Sequence, residues 1–282
     1  MLLVGGAERV LTMPTERSTE VFAYASDAVF EQPAGLTFPG VFALIARAHM
    51  ARYGTTEEQM AHVAVKNHRH GALNPKAQFQ KEITLAQVMA SAKVADPLKV
   101  YDCCPFSDGA AAVVIAAGDV ARRTRKPVWV LGSGQAGDAM CLHDKTDLSR
   151  ALATERAAQA AYRQAGIGPA DVDVVELHDC FTIAEILATE GLGLFEPGTG
   201  GPAAEKGETS LGGRVPVNTS GGLKAKGHPI GATGAAQIVE IATQLRGEAG
   251  PRQVDGARIG LTHTLGGNTA SVLVSAFGRD PR

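Results

Sequence analysis

Residues Asn218 to Gln237 read Asn-Thr-Ser-Gly-Gly-Leu-Lys-Ala-Lys-Gly-His-Pro-Ile-Gly-Ala-Thr-Gly-Ala-Ala-Gln, with five glycines set around a single histidine. Glycine lets a backbone approach another group closely or turn through positive φ, at an entropic cost. Pro229 presets its own φ and biases His228 away from helix. Ile238, Ile241 and Leu245 then recur at helical spacing. The stretch therefore predicts a polar, glycine-rich loop that presents an imidazole just ahead of a helix whose first turn is small. It is not a Walker phosphate loop, because no Gly-Lys-Ser/Thr follows the glycines, and the spacing of Gly227, Gly231 and Gly234 does not match the dinucleotide fingerprint. A lone histidine before proline is more commonly structural. The glycine density around His228 favours a functional one.

The 282 residues suit one large or two ordinary domains. A hydrophobic content of 45% with 20% charged residues is that of a soluble globular chain. A net charge of −2 gives no reason to expect nucleic acid or an anionic membrane as partner. No apolar run approaches the about 20 residues of a spanning helix, and Leu2-Leu3-Val4 before Gly5-Gly6 is too short for a signal peptide. Cys103, Cys104, Cys141 and Cys180 form no Cys-x-x-Cys pair, which argues against a zinc ribbon or redox motif and for free thiols in a reducing cytoplasm.

Along the chain, Leu2–Val4 predicts a strand ending in a glycine turn, and residues 12–39 predict irregular, turn-rich chain. A helix is expected over Gly40–Tyr53 with Gly54 as its stop. A second follows behind a Thr55/Glu58 capping box, with Met60, Val63 and Ala64 inward. His68 and His70 close that helix on different faces, which disfavours a shared metal. A short capped helix is expected over Thr84–Ala90. Val100–Cys104 and Ala110–Ala116 read as strands, with Cys103 and Cys104 as small buried residues. Further on come a strand Val128–Leu131, a Gly132–Gly134 turn, a helix Ser149–Gly166 and a strand Val172–Leu177. A helix with a Thr182/Glu185 capping box ends at Gly191 and gives way to a loop over 196–213. The last strands are Arg258–Leu261 and Ser271–Phe277, joined through Thr262–Gly267. The order predicts a mixed sheet with helices on its faces.

His178 and Cys180 stand at the C-terminal end of the strand Val172–Leu177, just before a helix, where open α/β sheets gather ligand chemistry. A thiol there can shuttle a proton, and an imidazole can stabilise developing oxygen charge. Spacing alone fits equally an inert buried cysteine beside a satisfied histidine. The pair together with His228 is a stronger signal than either alone.

Taken together, Val175-Glu176-Leu177-His178-Asp179-Cys180-Phe181, Asn218 through Gly234, and Cys103-Cys104-Pro105-Phe106-Ser107-Asp108-Gly109-Ala110-Ala111 resemble a thiolase. The resemblance is to the sterol-carrier-protein and archaeal acetyl-CoA acetyltransferase branch, and it extends over essentially the whole chain. It implies an α/β, layered αβαβα fold of two halves: residues 1–125 as a partial first half with a loop domain at about 12–99, and 126–282 as the second. It implies thiolysis of 3-oxoacyl-CoA, or the reverse Claisen condensation. His228 would activate a nucleophilic thiol, His178 would bind the thioester oxygen as the enolate forms, and Cys180 would move the α-proton. Ser220, Gly221, Gly222, His263 and Gly266 would contact substrate. No cofactor is permanently bound, coenzyme A thioesters are the substrates, and no metal is involved. In other thiolases the second cysteine lies in a C-terminal Cys-x-Gly turn. Here that turn is His263-Thr264-Leu265-Gly266-Gly267, which fits the branch that uses Cys180.

The family's nucleophilic cysteine lies on a helix ahead of the strand that Leu2–Gly6 resembles, and none of the four cysteines matches it. The expectation is a truncated chain with an incomplete first half. Two other readings stay open: a retro-aldolase of the same superfamily acting on acyl-CoA, and a non-catalytic subunit of a thiolase complex. A homo-oligomer is expected, and a zinc-ribbon/OB-fold partner is possible by the same resemblance.

Overall fold

The computed structural model describes residues 1–281. In chain order its first part holds β1 (Leu2–Glu8), α1 (Thr15–Ala23), α2 (Phe38–Tyr53), α3 (Glu57–Ala72), α4 (Leu85–Ala90), β2 (Lys93–Ala95), β3 (Leu98–Lys99), β4 (Gly109–Ile115) and α5 (Gly118–Ala121). Its second part holds β5 (Trp129–Gly137), α6 (Leu152–Ala165), β6 (Val174–Leu177), α7 (Thr182–Gly191), α8 (Gly200–Glu205), α9 (Gly222–Ala225), α10 (Ile230–Arg246), β7 (Ile259–Gly266) and β8 (Ser271–Gly278).

The second part is built on a four-stranded sheet in the order β5-β8-β7-β6. β6 runs parallel to β7, while β7–β8 and β5–β8 are antiparallel. α6 covers one face. On the other side α10 lies between this sheet and the two-stranded antiparallel sheet β1–β4. The layers are thus helix, sheet, helix, sheet. α10 is sandwiched because its apolar positions are spread around it: Ile241 and Leu245 pack against Val174 and Phe277 of the larger sheet.

Several glycines read as turns lie inside strands. Gly132 and Gly134 sit in β5, where an added Cβ at Gly134 would come within 2.1 Å of the Ala157 carbonyl of α6. Gly5 and Gly6 sit in β1, and a Cβ at Gly6 would lie 1.8 Å from the Gly231 carbonyl. These glycines let a strand touch the backbone of a helix, which a local sequence pattern does not distinguish from a turn.

Other expectations are corrected. Residues 12–39 contain helix α1. The capping box of α3 uses Thr56 and Gln59, one residue later than Thr55/Glu58. Val100–Asp102 is a turn of 3-10 helix rather than strand. Cys103 and Cys104 are half-buried. Residues 196–213 include α8. β7 runs on through His263 to Gly266, so the joining turn begins only at Gly267. The Thr182/Glu185 box does not form: the Thr182 hydroxyl donates to Asp102 across 2.7 Å, and Glu185 pairs elsewhere. The helices α2, α4 and α6 and the strands β4, β6 and β8 occur close to where they are expected, with Gly54 and Gly166 as left-handed stops.

Gly134→Ala drives a methyl into the α6 backbone. It is expected to cost about 1–3 kcal/mol, read as a lowered urea midpoint. An unchanged midpoint would contradict the backbone contact between β5 and α6.

Candidate active site

Two chain segments meet at the end of β6. One is His178-Asp179-Cys180-Phe181, running from β6 into α7. The other is the glycine loop that begins at Asn218, which takes φ 55°. Asn218 joins them: its side-chain oxygen accepts from the Leu177 N–H at 2.8 Å, and its amide donates to Glu185 at 3.0 Å. His70 of α3 donates from Nδ1 to the Asn218 carbonyl at 3.0 Å, while its Nε2 accepts the Leu211 N–H, so both ring nitrogens are used.

Beneath them lies a buried ionic cluster. Lys66 Nζ is 2.8 Å from Glu185 and donates to the Val217 carbonyl at 2.9 Å. The Asn67 amide donates to both Asp179 (2.8 Å) and Glu185 (2.9 Å). Asp179 in turn accepts the Leu223 N–H at 2.7 Å and the Lys224 N–H at 3.3 Å, pinning the start of α9. Burial and the neighbouring Glu185 charge push the Asp179 carboxyl above its ordinary range.

His228 is held from three sides. Its N–H donates to the Ser107 hydroxyl at 2.9 Å. Gly227 before it takes φ 113°, and a Cβ there would meet that same hydroxyl at 2.6 Å. Its Nδ1 lies 2.8 Å from the Thr233 hydroxyl. The single Thr233 proton is donated to the Pro229 carbonyl at 3.0 Å. The Thr233 oxygen must therefore accept from His228 Nδ1–H, which leaves Nε2 as the free base.

His178, Cys180, His228 and Gly266 share one cavity of about 510 Å³, with Phe22, Phe38, Cys103, Cys104 and Phe106 in its wall. The His178 and His228 rings meet edge to face, with centroids 4.8 Å apart and planes at 89°. Burial drives both imidazoles toward the neutral form: His228 is lowered to about 3, further helped by the Lys226 cation, and His178 is held well below its ordinary value. Burial likewise pushes the thiols up, Cys103 to about 11, Cys104 to about 12, and Cys180 well above the usual range. The Cys104 N–H donates to the Cys180 carbonyl at 2.9 Å. A neutral base, a neutral imidazole and a protonated thiol in one largely apolar pocket can hold an oxyanion and exchange a proton with carbon.

Ser220, Gly221, Gly222 and His263 do not line that cavity. The Ser220 N–H and hydroxyl both donate to Glu176, at 3.0 and 2.5 Å. Gly221 and Gly222 take positive φ to open α9. His263 is fully buried in β7, with Nε2 3.0 Å from the Thr154 hydroxyl. Thr233, Asp179, Lys66 and Asn67 escaped the sequence reading. Thr233 stood in the singled-out stretch, five residues beyond His228, as a possible ring partner. Lys66 and Asn67 gave no local signal, because their partners lie more than a hundred residues away. A larger groove of about 940 Å³ between β4, α10 and Asn74–Gln78 contains none of His178, Cys180 and His228, so size does not mark the chemistry.

Lys66→Met leaves Glu185 buried without its cation and is expected to cost about 3–5 kcal/mol, measured by urea unfolding. Stability also depends on pH. Burial holds His70 and His228 at about 3 and His263 at about 4, with His178 also depressed. In the unfolded chain these imidazoles take up protons near pH about 6.5. Their contribution is complete above that pH and is lost as pH falls toward the folded values. The raised Glu176 and Asp179 carboxyls oppose this over part of the range, but the imidazoles outnumber them. The urea midpoint is expected to drop between pH 7 and 4.5; a flat profile would show that the imidazoles are not buried neutral.

Residues 1–119 match the family model for the thiolase N-terminal domain, and residues 134–279 match the thiolase C-terminal domain-like model. The chain is 52% identical over 262 residues to the acetyl-CoA acetyltransferase of Methanothermobacter thermautotrophicus, covering 93% of this chain and 68% of that protein. It is 42% identical to rabbit (Oryctolagus cuniculus) sterol carrier protein 2, covering 83% of this chain and 44% of that one. A solved structure titled Ltp2-ChsH2(DUF35) aldolase superposes with a TM-score of 0.85 at 28% identity, covering 99% of this chain and 72% of its own. Fold, motifs and relatives agree: the chain belongs to the thiolase family, in the branch shared by the archaeal acetyl-CoA acetyltransferases and sterol carrier protein 2.

Proposed function

We propose that this cavity carries out thiolase-type acyl transfer on coenzyme A thioesters, as thiolysis of a 3-oxoacyl-CoA or the reverse condensation. The supporting observation is the convergence of His178, Cys180 and His228 on one buried pocket, in which Cys180 rests as a thiol. In the cleavage direction the carbon–carbon bond electrons pass into a thioester enolate. His178 donates to the enolate oxygen, and Cys180 delivers its proton to the α-carbon, giving the acetyl thioester. His228, through its free Nε2, takes the proton of an attacking thiol. In the same reading residues 1–125 form the first half, with the loop domain at about 12–99, and residues 126–282 form the second.

A second reading has its own support. The aldolase-titled neighbour covers nearly all of this chain, and a retro-aldol cleavage of a 3-hydroxyacyl-CoA needs the same oxyanion donor and proton donor but no acyl-thiol intermediate. Its title also names a second component, ChsH2(DUF35), which supports association with a partner protein; in this reading that partner is of the zinc-ribbon/OB-fold kind. Pairing with a second copy finds support in the exposed Leu2, Leu3, Val114 and Ile115 of β1–β4. A non-catalytic role within such a complex is the remaining alternative.

The proton-transfer half of the chemistry is testable with this chain. Incubated with acetyl-CoA in D2O, it is expected to catalyse exchange of the α-hydrogens, followed by mass spectrometry. Cys180→Ala is expected to slow exchange by about 10²–10⁴-fold. Exchange no faster than in buffer, or unaffected by Cys180→Ala, overturns the assignment. Turnover of 3-oxoacyl-CoA with free coenzyme A, against cleavage of 3-hydroxyacyl-CoA without it, separates the two enzymatic readings. Thr233→Val, which frees the His228 ring, is expected to reduce turnover by about 10²-fold with KM little changed.

A further inference from the structure

Beyond the acyl cavity, Cys141, His143 and Asp144 bring a sulfur, a nitrogen and an oxygen donor within 4.8 Å of one another. They belong to the loop after β5. Against it lies the segment after α1, and from that segment comes Glu31, a buried carboxylate. One oxygen of Glu31 accepts the Leu142 N–H at 2.5 Å and lies 3.8 Å from His143 Nδ1. Its other oxygen is buried and has no hydrogen-bond partner among the described residues. A buried carboxylate oxygen left bare is costly. The Glu31 carboxylate reaches the cluster through its first oxygen, which faces His143.

We propose that Cys141, His143 and Asp144 form a binding site for a divalent zinc-class ion, with Glu31, 3.8 Å from His143, as the carboxylate that completes the four ligands. Mixed sulfur, imidazole and carboxylate donors suit zinc, which is borderline soft and takes four ligands. Alkaline-earth ions prefer all-oxygen sites, and the thiol argues against them. A tetrahedral zinc needs donors about 3.5 Å apart, so the cluster must contract slightly. His143 and Asp144 are exposed side chains, half and two-thirds accessible, and are free to turn inward. Glu31, the buried member, is already fixed by the Leu142 N–H. A bound cation offsets the negative field of the neighbouring carboxylates, and the Cys141 thiol gives up its proton on binding.

The site has a structural consequence. Glu31 follows the Phe22–Ala25 segment that lines the acyl cavity, and Met140 lies beside Gly267, a further lining residue that adjoins Ala25. The Asn268 amide also donates to the Met140 carbonyl. An ion held between Glu31 and Cys141–Asp144 clamps the two segments together without touching the reacting atoms.

Cobalt(II) titration of the full chain tests this, followed by zinc competition and metal analysis after dialysis. One equivalent of zinc is expected to be retained, and the cobalt form is expected to show a thiolate-to-metal charge-transfer band. Cys141→Ser removes the band, whereas Cys103→Ser keeps it. His143→Ala, an exposed change that leaves the fold intact, weakens zinc binding by about tenfold or more and abolishes the zinc-dependent rise in Tm expected of the parent. Glu31→Gln, which still accepts from Leu142, weakens binding similarly. A band that survives Cys141→Ser, binding unchanged in His143→Ala, or no metal retained after dialysis overturns the proposal.

Discussion

The buried contact between Lys66 and Glu185 holds the site's geometry in place. Two charges in an apolar interior are costly, and the cost falls as surrounding donors and acceptors engage them. Here the engaging groups are the residues that shape the two catalytic segments. Glu185 takes the Asn67 and Asn218 amides, Asn67 reaches on to Asp179, and Asp179 caps the short helix that leads to His228. The strand end bearing His178 and Cys180 and the glycine loop bearing His228 are therefore not independent loops. They are two sides of one polar cluster, with α3 supplying the cation from outside both.

This explains why the site was readable in outline and opaque in its support. The imidazoles and the thiol announced themselves through local context: a strand end, a proline, a crowd of glycines. Their convergence on one cavity follows from the parallel pairing of β6 with β7 and from α10 starting directly after His228. Lys66 lies in an ordinary amphipathic helix, and nothing nearby in the chain says that its ammonium reaches a carboxylate on α7. Glu185 even offered a misleading local role, since Thr-x-x-Glu at a helix start is a capping pattern. Tertiary demand for a counter-ion overrode it.

The glycines divide in the same way. Gly54 and Gly166 end helices with positive φ, and the chain pattern announces them. Gly6, Gly132 and Gly134 are required by the close approach of a strand to a helix backbone, and only the stacked layers reveal that. The helix α1 was missed for a different reason: it is polar from Thr15 to Glu20, and its short apolar end faces the acyl cavity through Phe22 rather than a conventional core.

The hydroxyl of Thr233 has a directional effect on proton traffic. Because its own hydrogen is committed to the Pro229 carbonyl, it cannot relay a second one away from the imidazole. A proton captured at Nε2 of His228 is left with a single exit, the face by which it arrived. The ring thus takes and gives protons through one nitrogen only: what it borrows at one step it hands back on the cavity side, to whichever thiol, substrate or solvent molecule stands there.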